Sequence, residues 1–312
     1  MEAGVGAQAA RTPSNRVAPA LGQHPLTLAV VRDYITLTKP RIISLLLLTT
    51  LATMFVADPA GPSATLILWT MLGGYLAAGG AGAINHYLDR ARDARMARTR
   101  SRPLVSGRIE PIHGLAFGII LGTLAFVQLW LTVNPLAALL ALAGLLGYVF
   151  VYTLWLKPLT PQNIVIGGAA GAVPPLVGWA AATGAISAAA LWPFAIVFLW
   201  TPPHFWALSL LIKDDYARTG VPMLPVVRGE AETRRQIVAY SAILVIATLA
   251  PVATGLFGLL YLSAALVLGG AFLALAVRLQ RHPARRAALR LYLASLAYLA
   301  LLFTAMAVDR LL

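Results

Sequence analysis

Long apolar runs fill the chain from residue 41 onward, and each ends in a short polar or turn-forming stretch. A helix that crosses a bilayer needs about 20 mainly apolar residues. By that criterion the sequence predicts nine spanning helices, at about 41–57, 64–88, 113–132, 135–156, 162–182, 188–212, 236–256, 259–278 and 290–309. The connections are of two kinds. "ADPAGPS", "TVNP", "ATGAIS" and "LFG" are short and turn-like. The connections at 89–112 and 213–235 are long; each follows an even-numbered span and each starts with acids. That parallel between spans 1–4 and spans 5–8 hints at a duplicated four-helix unit, although the helices show no obvious internal repeat.

Charge fixes the orientation. With a cytoplasmic N-terminus, 23 of the 24 Lys and Arg fall on the inner side, leaving only Arg310 outside. So complete a segregation predicts N-terminus in and C-terminus out. Composition agrees with an all-α polytopic membrane protein. The 312 residues are 59% hydrophobic and 11% charged, whereas a soluble domain runs near a quarter charged. The net charge of +13 is confined to loops between spans, so it reads as topology and not as a nucleic-acid surface. The absence of cysteine excludes disulfides, thiolate catalysis and thiolate-ligated metals. Residues 1–31, rich in Ala and Pro, lack a signal-peptide core and are expected to be a mobile cytoplasmic tail. The membrane domain is then 32–312, entered through a short interfacial segment, "RDYITLTKPR".

The candidate chemistry gathers at the inner face. In "AINHYLDRARDARMARTRSRPLVSG", four-residue steps put Asn85, Asp89 and Asp93 on one helix face over about 12 Å. Two carboxylates and an amide oxygen are hard ligands of the kind that hold Mg²⁺, especially when substrate phosphates complete the shell. The competing reading is a solvated helix end paired to Arg90, Arg92 and Arg95. Two of only eleven acids beside an intramembrane Asn favour the metal. Arg98 and Arg102 follow closely, with guanidinium forks suited to phosphate oxygens; such a loop would also attract anionic lipid. "IKDDYARTG" places Lys213, Asp214 and Asp215 at the inner end of span 6, a second acid pair with basic residues behind it. Acids and bases together suggest a diphosphate bridged by Mg²⁺ to carboxylates. Lys157, Thr160 and Asn163 stand at the same mouth, before a Gly- and Ala-rich span whose small residues also suit close packing. His204, inside span 6, is either a ligand for a haem iron facing a cavity or a buried histidine bonded to a kinked backbone. Pro174-Pro175 and Pro202-Pro203 are expected to break or kink their spans beside a cavity.

"NHYLDRARD" matches the NxxxDxxxD motif of UbiA-type intramembrane prenyltransferases. The patterns "NxxxDxxxDxxMxRTxxRPLxSG", "YTxxLKxxTxxNxxxGGxxGAxPPxxGW", "PPHFWxLSL" and "DDYxxxGxPMLPVVxG" resemble the haem O synthase branch of that family, over about residues 32 to 300. The adjacent Asp214 and Asp215 depart from the DxxxD usual in the wider family and match that branch. The resemblance implies nine helices around a central cavity open to lipid. It also implies farnesyl transfer from farnesyl diphosphate to a vinyl group of protoheme IX, with water added.

On this reading Asn85, Asp89, Asp93, Asp214 and Asp215 are catalytic, and Asn85, Asp89, Asp93 and Asp215 hold Mg²⁺. Arg98, Arg102, Lys157, Asn163 and Lys213 bind diphosphate and His204 contacts haem. Tyr148, Tyr152 and Trp206 are candidates to stabilise an allylic cation through their ring faces. The expected setting is a bacterial inner membrane with the mouth on the cytoplasmic face, and a downstream haem A synthase is the associate the resemblance implies. Prenyl transfer to an aromatic or quinone-precursor acceptor is the alternative. Transport is weaker, because the outer half carries almost no ionisable residue besides Asp58, Asp309 and Arg310.

Overall fold

The structure, a computed structural model, describes residues 28–312. The tail expected over 1–31 lies outside the described residues except for its last four positions, which are already helical. A short helix, α1 (Leu28–Thr38), precedes nine long ones: α2 (Pro40–Ala57), α3 (Ala64–Asp93), α4 (Pro111–Thr132), α5 (Pro135–Leu159), α6 (Asn163–Thr183) and α7 (Ala188–Leu211) in the first part. A short α8 (Lys213–Thr219) leads to α9 (Gly229–Ala253), α10 (Leu259–Arg281) and α11 (Arg285–Leu311). All nine long helices are long and apolar enough to cross a bilayer, and no strand occurs among the described residues.

Local chemistry sets the helix starts. The Ser63 hydroxyl accepts from the Leu66 amide at 3.2 Å to cap α3, and the Asn134 side chain accepts from Ala137 at 2.8 Å to cap α5. Proline opens α2, α4 and α5, where its missing N–H costs nothing. Several helices outrun their apolar stretches: α3 continues to Asp93, α9 starts at Gly229 and not 236, and α11 at Arg285 and not 290. Hydropathy marks where lipid ends, whereas backbone hydrogen bonding continues into water. Glu230 and Glu232 in the first turn of α9 favour that extension through the helix dipole.

Neither proline pair breaks its span; both α6 and α7 stay helical through them. Pro174 and Pro175 can offer no N–H to the carbonyls of Ala170 and Gly171, four residues earlier. Those two residues line a cavity, where irregular backbone is tolerated. The irregularity lies elsewhere, in a stretch of α5 from Gly147 to Leu156 that is a π-helix.

The two halves of the bundle are filled differently. Around α7, α9, α10 and α11 a closed core packs Trp200, Trp206, Phe272, Tyr298 and Phe303. Between α2, α3, α5 and α6 small residues such as Ala77, Ala81, Gly82, Gly144 and Gly171 face Ile and Leu side chains of α2, and a cavity of about 230 Å³ remains. Its walls are held close by glycine. A Cβ on Gly178 of α6 would stand 2.2 Å from the Thr50 carbonyl oxygen of α2, and one on Gly80 of α3 would stand 2.7 Å from the Gly118 carbonyl of α4.

Gly178→Val should therefore force α2 and α6 apart and cost about 1–3 kcal/mol, read as a lower thermal midpoint of the purified protein in detergent. Gly171→Ala, where a Cβ meets nothing within 4 Å, should leave that midpoint nearly unchanged. Equal losses in both would contradict this packing.

Candidate active site

The cavity is apolar along most of its length and becomes polar at one end, where Thr38, Lys39 and Tyr148 enter the lining. Immediately beyond stand Asn85, Asp89 and Asp93, all buried, with 3%, 2% and 4% of their surfaces exposed. Their four-residue spacing along α3 stacks them as expected.

The acids are enclosed and not solvated, although Arg92, one of the arginines of the competing reading, does pair with Asp89. The Lys157 ammonium, at the end of α5, donates to Asp89 Oδ2 at 2.5 Å, and Arg92 donates to Asp89 Oδ1 at 3.1 Å. Arg102 donates to Asp93 Oδ2 at 2.5 Å. The Asn85 amide donates to Asp89 at 2.9 Å and to the Thr153 hydroxyl at 3.1 Å, while its oxygen accepts from the Lys39 ammonium at 2.6 Å. Arg102 belongs to the segment 94–110, which folds into an ordered cap. Met96, Leu104 and Ile109 of that segment are buried, and Arg108 grips Asp33 of α1 through two hydrogen bonds, at 2.8 and 3.1 Å.

The second acid pair opens α8. Asp214 is exposed, whereas the Asp215 side chain is turned inward, 12% exposed, and pairs with Arg218. Tyr216 is the link to the first cluster. It packs with Met96 of the cap, and Asp89, Arg98, Arg102 and Asp215 all act on its hydroxyl electrostatically. Burial pushes that hydroxyl up to about 12. Among the described residues no group of three or more His, Asp or Glu stands ready-made as a metal site.

Other expected residues lie less directly at the rim. Lys213 pairs with Glu230 of α9, which raises the lysine above its usual range. Arg98 is exposed. Asn163 is fully buried; one N–H of its amide donates to the Thr160 carbonyl at 2.5 Å, and its oxygen has no partner. His204 is absent from the cavity lining. Its ring stacks on Trp200 and Tyr292, with centroids 4.2 and 5.0 Å away, and its Nδ1 meets the Ser295 hydroxyl at 2.6 Å. Trp206 faces Tyr240 of α9 within the closed core, so it is not positioned over the cavity. Tyr148 lines the cavity and stacks on Tyr152 at 5.5 Å.

Lys39 and Thr153 were not among the residues the sequence singled out for chemistry. Lys39 is the only non-glycine residue with positive φ among the described residues, at 60°, and it precedes a proline, which disfavours compact backbone further. Such strain persists where the surroundings enforce it; here the ammonium reaches into the bundle toward Asn85 and lies 5.8 Å from the Tyr148 ring centroid. Burial first, then the charges of Arg102 and Lys157, push Lys39 down to about 7. A signal existed. The chain has only three lysines among 24 basic residues, and both of those on this cluster, Lys39 and Lys157, precede a proline.

The described residues thus form an all-helical membrane bundle with buried carboxylates and cations at the end of an apolar cavity. The UbiA prenyltransferase family profile matches residues 46–304, and the chain belongs to that family. It is a multi-pass integral membrane protein. It is 56% identical over 282 residues to the protoheme IX farnesyltransferase of Roseiflexus sp. (strain RS-1), covering 90% of this chain and 53% of that protein. It is 55% identical over 282 residues to the protoheme IX farnesyltransferase of Symbiobacterium thermophilum, covering 90% and 94% respectively. The chain thus spans about half the length of several curated relatives and nearly all of others. In fold it is similar to a digeranylgeranylglyceryl phosphate synthase (TM-score 0.72, 17% identity, covering 90% of this chain and 98% of that one). It is also similar to a UbiA homologue from Archaeoglobus fulgidus bound to DMAPP and Mg²⁺ (TM-score 0.62, 16% identity, 88% and 99%).

A lysine that titrates near 7 when folded and near 10.5 when unfolded leaves the unfolded chain binding more protons between those values. Stability of the ligand-free protein should therefore rise with pH across that window, and be lowest below it. Lys39→Met should flatten the rise in a series of thermal midpoints from acid to alkaline pH. An unchanged slope in the variant would contradict the assignment.

Proposed function

We propose that this chain transfers the farnesyl group of farnesyl diphosphate to a vinyl group of haem b, giving haem O and diphosphate. The C1–O bond of the prenyl diphosphate breaks, and C1 joins the terminal vinyl carbon. The adjacent carbon takes the hydroxide of a water molecule, whose proton leaves to solvent, so the product is a hydroxyethylfarnesyl haem. The observation that carries the donor half is the apolar cavity ending at Lys39 and Tyr148 against the buried acid–cation cluster. The acceptor half is supported by relatives named protoheme IX farnesyltransferase, including one that the chain covers to 94%.

The cluster fits a hard divalent cation. Asn85, Asp89 and Asp93 present amide and carboxylate oxygens, and two of the three already hold an ammonium in a cation's place, Lys39 on Asn85 and Lys157 on Asp89. Asp215, the inward member of its pair, is the carboxylate of the second acid motif that completes the set. Mg²⁺ bound there would neutralise diphosphate oxygens and make diphosphate a better leaving group. Lys157, Arg102 and Lys39 are placed to take up the charge that develops as the C1–O bond breaks, inside a low-dielectric site where such contacts are strong. Arg98 and Lys213 serve as outer contacts, steering the diphosphate inward. Asn163 keeps one amide N–H beyond its bond to Thr160 and is the further diphosphate contact of this reading. The lining excludes bulk water from the allylic cation, and the Tyr148 face borders the point where that cation forms.

His204 is the haem contact of this reading. Its Nδ1 is fixed by Ser295 and its ring by Trp200 and Tyr292, an arrangement that orients the other nitrogen. Basic residues crowd the face that carries the acid cluster, which supports a cytoplasmic mouth and an inward N-terminus, and the bacterial relatives support a bacterial inner membrane. A haem A synthase is the downstream partner that would consume the product.

The test is an assay in membranes with haem b, farnesyl diphosphate and Mg²⁺, read by chromatography and mass. A hydroxyethylfarnesyl haem should form, vanish with EDTA, and fall by about a hundred- to a thousandfold in Asp89→Asn. Diphosphate release with an aromatic acceptor and none with haem would move the chain to a different acceptor and overturn the proposal.

A further inference from the structure

Asn85 can ligate a cation only through Oδ1, so its amide must keep that end toward the rim. In the structure two partners define the orientation: the Lys39 side-chain nitrogen, which donates to Oδ1, and the Asp89 carboxylate, which can only accept. Both are groups that the proposed metal and diphosphate would recruit, so neither can orient the amide once substrate is bound. One partner is left. Thr153, fully buried on α5, accepts from Asn85 Nδ2 at 3.1 Å.

A hydroxyl is ordinarily ambivalent, able to donate to one amide end or accept from the other. Thr153 has lost that freedom. Its hydrogen is committed to the Tyr148 carbonyl, five residues back, at 2.8 Å. In an α-helix such back-bonding reaches three or four residues; the reach of five belongs to the π-helical pitch of residues 147–156. The π segment thus turns Thr153 into an acceptor only, and an acceptor only can face Nδ2 alone.

We infer that Thr153 is a positioning residue: held by the π segment of α5, its hydroxyl locks the Asn85 amide with Oδ1 facing the metal–diphosphate rim. The inference rests on the reading of that rim as a metal site and is independent of the acceptor.

The test measures Mn²⁺ binding by electron paramagnetic resonance, using the full chain in detergent with inorganic diphosphate and no haem. Loss of an outer contact to a metal ligand typically weakens the metal by roughly tenfold or more. Thr153→Val and Thr153→Ala should each weaken Mn²⁺ by about that factor, and the Mg²⁺ concentration for half-maximal turnover should rise in parallel. Thr153→Ser, which keeps the hydroxyl, should restore both. A merely structural role would lower the thermal midpoint without moving the Mn²⁺ affinity of the folded fraction. Unchanged affinity in the folded valine or alanine variant, or a serine variant as weak as valine, would overturn the role of Thr153. If the unsubstituted chain binds no Mn²⁺, the rim reading itself fails, a result distinct from either.

Discussion

The burial of Asp89 and Asp93 at the end of a membrane-spanning helix is the constraint around which the rest is arranged. Taking a carboxylate out of water is strongly unfavourable unless an opposite charge and hydrogen bonds go with it. Here the compensation comes from separate parts of the chain. Lys157 arrives from α5, Arg102 from the cap segment, and Lys39, through Asn85, from the junction of α1 and α2. The cluster therefore ties four segments together. Removing one member of such a buried set typically costs about 3–5 kcal/mol, because the remaining charge is left unpaired. The same cations that neutralise the acids are those a diphosphate would attract, so the resting pairs are poised for exchange.

The bundle's asymmetry serves that rim. Bulky aromatic residues close the half around α7, α9, α10 and α11, while small residues hold open the half between α2, α3, α5 and α6. Glycine contacts such as Gly178 on Thr50 bring the backbones close without filling the space beside them. The π-helical stretch sits where the cavity meets the cluster, and one stretch supplies Tyr148 to the lining and Thr153 to the amide, with Lys157 immediately after it.

The spans were legible because lipid imposes one requirement, a long apolar run, on each of them. The Asn85, Asp89 and Asp93 face was legible because four-residue spacing survives in any helix. Neither proline pair breaks its helix, and for Pro174 and Pro175 the freed carbonyls of Ala170 and Gly171 border the cavity. The helix ends of α3, α9 and α11 outran hydropathy, which follows the solvent boundary and not the hydrogen-bond ladder. Lys39 read as one more orientation charge; its role depends on a left-handed backbone before a proline, which composition does not disclose. Asp214 and Asp215 were indistinguishable until the start of α8 turned one outward and the other in. The π-helix has no spacing signature in "GYVFVYTLWL", so Thr153, although part of the "YTxxLK" pattern, had no assignable role before the fold.

The most direct measurement is an experimental structure with Mg²⁺ and a non-hydrolysable thio analogue of farnesyl diphosphate. The prenyl chain should lie in the cavity between α2, α3, α5 and α6. The metal should sit on Asn85, Asp89 and Asp93, with Lys157 and Arg102 transferred from the carboxylates to diphosphate oxygens. A diphosphate bound elsewhere, with Lys157 still on Asp89 and Arg102 still on Asp93, would contradict it.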